Sequence, residues 1–336
     1  MVKENKLNIN NASSITYSGE IIDYNKLKSI NFVANGSLAT NDMIKLIGQE
    51  LKSYIHSQGV IPLKLTFDGN KKKQTLFFQL LADKSNFITP IDFNELQGQN
   101  ISLQSIVDFK GNRIKIKKTG FFKRNVTVDD QGNEIINLDE IFGIDGTIAG
   151  NSINLIKITM PKALTGKIFV FPRSSFTVNG RAFVLGETIS PRFRGGFNVQ
   201  NLSIPELLIN LRNFGIRFRG HDIDFSLADL ILNGSDIGLN GTMNLEPSPV
   251  LNITNLDIIS RYMNIDKVME VVDRAMKYVP QAPSQQKSNS QPANIPVVIR
   301  GGSINFSRII TGAIDVKNTT SRISLARYLA LWSIGT

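Results

Sequence analysis

Apolar and polar residues alternate with a period of two along most of this chain of 336 residues. In one stretch, Leu63, Leu65 and Phe67 alternate with Lys64 and Thr66. Successive side chains of a β-strand point to opposite faces, so this pattern predicts strands with one apolar and one polar face. The alternation recurs at Phe169 and Phe171, Ile223, Phe225 and Leu227, Ile237 and Leu239, and Met243 and Leu245.

Asn-Gly and Asp-Gly pairs lie between or beside many of these segments. Such pairs tolerate the positive φ angles of tight hairpin turns, so we predict turns at each of them. Strands joined by short turns pair antiparallel, because parallel neighbours need a long crossover connection. The pairs are Asn35-Gly36, Asp68-Gly69, Asp145-Gly146, Asn179-Gly180, Asn233-Gly234 and Asn240-Gly241.

A few helices are predicted among the strands. Residues 41–57 and 265–279 have apolar residues at helical spacing, and the short segment 205–214 starts with Pro205 and stops at Gly215. We interpret the methionines of 265–279, Met269 and Met276, as core-packing residues.

The chain divides into four parts by these patterns. We predict an N-terminal β segment over 1–190, a second β segment over 191–279, a flexible linker over 280–296 and C-terminal strands over 297–336. The linker is rich in Pro, Gln, Ser and Asn. The apolar residues between Ile323 and Trp332 favour a final strand, and a terminal helix is the competing interpretation.

The net charge of +10 is uneven. Between Lys157 and Arg219 there are ten basic residues against Glu187 and Glu206, and seven basic residues with no acid lie between Lys110 and Arg124. Such clusters attract anions: nucleic acid, phospholipid or lipopolysaccharide headgroups, or no specific partner. Nucleic acid is the weakest of these, because the aromatic residues that could stack bases share the alternation of the aliphatic ones.

Residues typical of catalysis or metal binding are scarce. The sequence has no cysteine and two histidines, His56 and His221. His221 precedes Asp222 and Asp224, which alternate with Ile223 as on a solvated strand face. Phosphate-binding glycine motifs are missing, so we predict no catalytic residues, no metal and no cofactor.

The segment from Phe197 to Tyr262 resembles the AsmA family of bacterial envelope proteins. The resemblance rests on Phe197-Asn-Val-Gln-Asn-Leu-Ser-Ile, Pro205-Glu-Leu-Leu, Asp229-Leu-Ile-Leu-Asn-Gly-Ser, and Leu239-Asn-Gly-Thr-Met-Asn-Leu-Glu-Pro-Ser-Pro-Val-Leu. The stretches Ile253–Tyr262, Ile295–Gly302 and Ser321–Leu325 fit the family's layout as well. It covers roughly 140 residues and is weaker over residues 1–190.

The resemblance implies a mainly β fold, a long curved antiparallel sheet whose apolar groove binds or conducts phospholipid or another acyl lipid. It also implies a place at the periplasmic face of the inner membrane, with inner- and outer-membrane proteins as partners. We expect the groove to be lined by Leu63, Leu65, Phe67, Phe169, Phe171, Ile223, Phe225, Leu227, Leu239 and Leu245. We expect anionic headgroups at Arg192, Arg194, Arg217 and Arg219.

Several alternatives stay open at this point. The sheet can close into a barrel, pair as a sandwich or bend into a trough. A structural or assembly factor for outer-membrane proteins would need no lipid, and a carbohydrate-active β-helix enzyme would need clustered carboxylates, which the sequence does not show. The sequence contains neither a signal peptide nor a transmembrane helix, unlike the family, and we therefore expect a fragment of a longer protein; a non-functional fragment of a split gene is a further alternative.

Overall fold

A computed structural model describes residues 2–8, 13–39, 42, 60–82, 91–96, 98–168, 170–245, 251–278, 294–322 and 325–330. Strands dominate the described residues, which also include one 3₁₀ turn, η1 (Pro205–Leu207), and the helix α1 (Ile265–Met276). The strands up to the middle of the chain are β1 (Val2–Asn8), β2 (Ser14–Ile22), β3 (Ser29–Ala39), β4 (Val60–Asn70), β5 (Lys73–Ala82), β6 (Ile91–Phe93), β7 (Ile101–Lys110), β8 (Arg113–Val128), β9 (Glu134–Ala149), β10 (Ser152–Thr159) and β11 (Leu164–Ile168). The remaining strands are β12 (Phe171–Glu187), β13 (Ser190–Ile204), β14 (Ile209–Gly220), β15 (Asp222–Leu232), β16 (Ser235–Asn244), β17 (Leu251–Ser260), β18 (Met263–Asn264), β19 (Asn294–Ile299), β20 (Gly302–Thr311), β21 (Ile314–Arg322) and β22 (Leu325–Ala330).

Strands that follow one another in sequence pair with one another in space. Antiparallel pairing runs from β1 through β5, from β5 to β7 and on to β10, and again from β13 through β17. The predicted mainly β, antiparallel architecture is therefore confirmed. Short turns explain this order, because a two-residue connection places the next strand antiparallel to the strand that precedes it.

One step of the sheet is parallel, which the alternation pattern did not predict. Strand β17 pairs parallel with β19 and β20, and β18 pairs parallel with β20. A parallel neighbour requires a crossover connection. Helix α1 lies in the chain segment that makes this connection, so the helix explains the change of strand direction.

The chain forms two compact units. The first contains residues 1–164 and 181–192, and the second contains residues 165–180 and 193–336. The boundary predicted at 190/191 lies close to the changeover at 192/193, but residues 165–180 belong with the second unit. Strands β12 and β13 each contribute residues to both units.

Burial in the described residues is shallow. No described side chain larger than serine is fully buried; those that are fully buried are Ser13, Ser102, Ser235 and Ser260. A domain built of two packed layers normally hides whole Leu, Ile and Phe side chains between them. The strands here therefore carry apolar faces without a deep core beneath them.

A small core exists in the second unit, where α1 and η1 meet the strands. Phe171, Ile204 and Leu207 form a buried cluster, with Ala275 of α1 among the residues packed against it. The ring of Phe171 also meets Tyr278 edge-on, with 4.8 Å between ring centroids. These contacts anchor the helix to one end of the sheet.

Two helix predictions need correction. Only Pro205–Leu207 of the segment 205–214 is helical, and residues from Ile209 onward form β14 because Phe214, Ile216 and Phe218 alternate as a strand requires. In α1, Val271 is buried but Met269 and Met276 are 51% and 63% exposed, so the core-packing interpretation of these methionines is wrong.

The other predicted elements have mixed outcomes. Apart from Asp42, the helix predicted over 41–57 lies outside the described residues, as do residues 280–293 of the predicted linker. Asn294–Pro296, the end of that linker, belong to β19. The described part of the final apolar segment, Leu325–Ala330, is the strand β22, as predicted in preference to a helix.

Most of the predicted Asn-Gly and Asp-Gly turns are wrong. Only Asn233-Gly234 forms a turn, between β15 and β16, with positive φ at both residues. The other five pairs lie inside strands, where the glycine allows close approach of a neighbouring strand. A Cβ on Gly146, for example, would lie 2.5 Å from the carbonyl oxygen of Leu155 on β10.

We expect Gly241→Ala to destabilise the second unit by about 1–3 kcal/mol, because neighbouring atoms must move to admit a methyl group. The new Cβ would lie 2.7 Å from Cε2 of Phe225 and 2.8 Å from the carbonyl oxygen of Asn255. Urea unfolding followed by circular dichroism measures the change.

Gly238→Ala is the matched control on the same strand. The nearest atom to its new Cβ is 3.6 Å away, so we expect less than about 1 kcal/mol of change. Equal losses in the two variants would show that close approach is not the reason for glycine at position 241.

Candidate functional site

Strands β13 to β17 and β20 share a continuous apolar surface in the second unit, which we call the second apolar face. Cross-strand pairs define it: Val199 lies opposite Phe214, Phe214 opposite Leu227, and Leu227 opposite Leu239. The row continues through Ile258 to Ile304. The face comprises Phe197, Val199, Phe214, Ile216, Phe218, Ile223, Phe225, Leu227, Leu239, Met243, Leu256, Ile258 and Ile304.

Aromatic contacts hold part of this face in place. The rings of Phe197 and Phe218 meet edge-on at 6.2 Å between centroids. The ring of Phe225 lies over Gly241, its cross-strand partner, where a side chain would collide with it. Edge-to-face aromatic pairs add to the stability gained by burial alone.

The opposite side of the same strands is polar and internally hydrogen-bonded. Asp224 accepts hydrogen bonds from Arg219 at 2.7 Å and from the Thr242 hydroxyl at 3.0 Å. The hydrogen bond from Arg219 is the main reason that the pKa of Asp224 lies below its ordinary value, and burial opposes it. In the adjacent strands, Asp257 accepts hydrogen bonds from Ser303 and Asn255, which lower its pKa in the same way.

The first unit repeats this arrangement, with what we call the first apolar face. Leu63, Leu65 and Phe67 of β4 lie opposite Leu80, Phe78 and Leu76 of β5. The face extends over β3, β7 and β8 through the pairs Phe32–Phe67, Leu80–Leu103, Leu76–Val107 and Val107–Ile116. On its opposite side Asp108 accepts hydrogen bonds from Lys117 and Thr75, and the bond from Lys117 lowers its pKa.

Nearly all side chains of the two apolar faces are half-buried. Leu80 is the exception among those named, at 8% exposed. Full burial of a Leu, Ile or Phe side chain stabilises a fold by roughly 1.5–3 kcal/mol, so half-burial leaves part of that gain unused. Contiguous apolar surface left in contact with water is typical of a binding site.

The structure brings together seven of the ten predicted groove residues, in two groups. Leu63, Leu65 and Phe67 share the first apolar face, and Ile223, Phe225, Leu227 and Leu239 share the second. Leu245 follows the end of β16 in the same alternation and is half-buried.

The last two predicted groove residues have different outcomes. Phe171 belongs to the small buried core under α1, so it does not line the second apolar face. Phe169 lies outside the described residues. Sequence reasoning missed the facing residues Phe214, Ile216 and Phe218, although their alternation is plain; the incorrect helix over 205–214 concealed part of it.

The arginines predicted to hold headgroups are exposed. Arg194 lies opposite Arg219, and Arg217 lies opposite Asp224. All three project from the polar side of the strands, away from the second apolar face. Arg192 belongs to the first unit. A basic cluster is therefore present, but on the wrong side of the sheet to border the apolar surface.

Among the described residues, no group of three His, Asp or Glu side chains is placed to hold a metal ion. His221 occupies the turn between β14 and β15, and Asp222 and Asp224 are engaged by Asn244, Arg219 and Thr242. In the part of the chain that the structure describes, no helix is long and apolar enough to cross a membrane.

The chain matches no protein-family model, and neither a curated protein nor a solved structure is significantly similar to it.

We expect the second unit to lose stability as the pH falls below about 4, because Asp224 has a lowered pKa in the folded state. A carboxyl of this kind contributes stability above its unfolded pKa, and the contribution disappears as the pH falls through the folded pKa. Asp224→Asn should therefore show a smaller loss of stability than the unaltered protein between about pH 7 and about pH 3, measured by urea unfolding.

Asp229→Asn is a suitable control, because the pair of Asp229 with Arg212 is exposed, at 3.3 Å. This variant should keep the acid sensitivity of the unaltered protein. If Asp224→Asn also keeps it, the ion pair with Arg219 does not couple folding to pH.

Proposed function

We propose that this protein is a non-enzymatic lipid-binding protein that holds acyl chains against its two apolar strand faces. The observation that supports this most is the combination of broad apolar faces with shallow burial: no described side chain larger than serine is fully buried. Six neighbouring strands at about 4.8 Å spacing make the second apolar face about 24 Å wide. A surface of that size needs a cover, and an acyl chain has suitable chemistry.

The energetics favour such a ligand. Each CH₂ group of an acyl chain costs about 0.8 kcal/mol when it is exposed to water. A lipid on the apolar face avoids this cost, and the half-buried Leu, Ile and Phe side chains gain burial at the same time. No covalent step is involved, so catalytic residues are not required.

We propose further that the protein acts in the bacterial envelope, as the resemblance to the AsmA family implies. In this proposal each apolar face is a surface of a groove on which phospholipid binds or moves between inner and outer membrane. The alternation of apolar and polar sides along successive strands supports a surface that a lipid can follow. Membrane proteins of the two membranes would be its partners.

Replacing Leu227 and Leu239 together by asparagine should reduce bound lipid by at least about tenfold, because a polar pair would face the acyl chain. These residues lie opposite each other on β15 and β16 and are half-buried. Native mass spectrometry of the purified full chain measures lipid occupancy, and circular dichroism reports whether the strands remain folded.

The matched control replaces Ser226 and Asn240 by alanine. This pair is the next row on the same two strands but projects from the polar side. We expect it to retain lipid. Absence of lipid from the unaltered protein would contradict the proposal and favour an assembly factor that carries none.

Replacing Arg194 and Arg217 by glutamine should leave acyl-lipid occupancy within about twofold, because the two side chains project from the polar side. Occupancy is compared for vesicles of a zwitterionic phospholipid and of an anionic one. A selective loss of the anionic lipid would instead show that this cluster holds headgroups, as the sequence suggested.

A further inference from the structure

The two longest neighbouring strands of the first unit extend beyond the strands beside them. Strand β8 pairs with β7 only as far as Lys123 of β8. Strand β9 pairs with β10 only from Gly143 of β9 onward. Apart from a backbone hydrogen bond that the Arg124 N–H donates to the carbonyl oxygen of Asn100, the segments Arg124–Val128 and Glu134–Leu138 pair only with each other among the described strands. We call these two segments, with the turn between them, the ribbon.

One side of the ribbon is apolar and in contact with water. Val126 lies opposite Ile136, and the two are 46% and 54% exposed. Val128 is 65% exposed and Leu138 is 39% exposed on the same side. The same side also carries Arg124 and Glu134, whereas the other side carries Asn125, Thr127, Ile135 and Asn137.

A two-stranded ribbon is marginally stable in water by itself. The turn at its tip is well formed, since the Asp129 carboxylate accepts backbone hydrogen bonds from Gln131 at 2.9 Å and from Asn133 at 2.7 Å.

Among the described strands, none pairs with β9 over Glu134–Phe142 on the side away from β8. That stretch of edge can accept a further strand.

The ribbon has the opposite charge to the rest of the chain. Residues 124–138 hold three acidic side chains, Asp129, Asp130 and Glu134, against the one base Arg124, a local charge of −2 in a chain of net charge +10. Asp139 and Glu140 follow directly after the ribbon. This charge repels an anionic membrane surface and attracts a basic polypeptide.

We propose that the ribbon is a docking arm for a partner protein, which adds an extended segment as a new strand along the free edge of β9. The segment alternates apolar residues, which lie beside Ile136 and Leu138, with basic residues, which project to the other side, where Asp139 is exposed. Strand addition combines main-chain hydrogen bonds with side-chain recognition at alternate positions. This site is separate from lipid binding on the apolar faces and does not depend on it.

Two labelled ten-residue peptides test the proposal with the full-length chain: one alternates valine and lysine, the other valine and glutamate. We expect fluorescence anisotropy to show binding of the lysine peptide alone. Ile136→Asn should weaken it at least about tenfold. Ile135→Asn should change it less than about threefold, because Ile135 is similarly exposed, at 46%, but lies on the other side.

Hydrogen exchange provides a second readout, since an added strand slows amide exchange along Glu134–Phe142. Three results would overturn the proposal: no binding of the lysine peptide, equal weakening by the two substitutions, or slowed exchange elsewhere in the chain. Equal weakening would indicate attraction by charge alone.

Discussion

Pairing between neighbouring strands is the interaction on which the rest of this structure depends. With so little deeply buried surface, the backbone ladder and the cross-strand side-chain pairs must supply most of the stability of each unit. Pairs such as Leu65–Phe78 and Leu227–Leu239 therefore stabilise the sheet and also build its apolar surface. The same register places hydrogen-bonded carboxylates, such as Asp108 and Asp224, on the reverse side, where their hydrogen bonds lower their pKa and favour the ionised form.

Much of the fold was predictable because a period of two has one structural meaning when it is repeated over many segments. The strand class and antiparallel pairing followed from it, whereas helix α1 followed from apolar residues at helical spacing. The turns did not, because glycine serves two purposes: at Asn233-Gly234 it permits a turn, whereas at Gly146 and Gly241 it admits a neighbouring strand or ring. Local sequence does not distinguish these uses, since the crowding atoms come from other strands.

The candidate site was predictable from the sequence to a similar extent. Alternation assigns residues of one strand to one side, so the grouping of Leu63, Leu65 and Phe67 followed directly. It does not say which strand lies alongside, and thus Phe214 and Ile216 were missed. The same alternation puts Arg217 on the opposite side of β14 from Ile216 and Phe218, so it already implied that this arginine does not border the apolar surface. Phe171 shows a further limit, because a helix distant in sequence covers it.

The absence of a deep shared core among the described residues has a consequence for how force and heat act on the molecule. Each strand depends mainly on the two strands beside it. The free energy of unfolding is therefore close to a sum of contributions from neighbouring strand pairs, as in solenoid proteins. Such a system comes apart progressively from an edge rather than in one cooperative event. Where the helix and the parallel step at β17–β20 tie together segments far apart in sequence, that unravelling meets its strongest barrier.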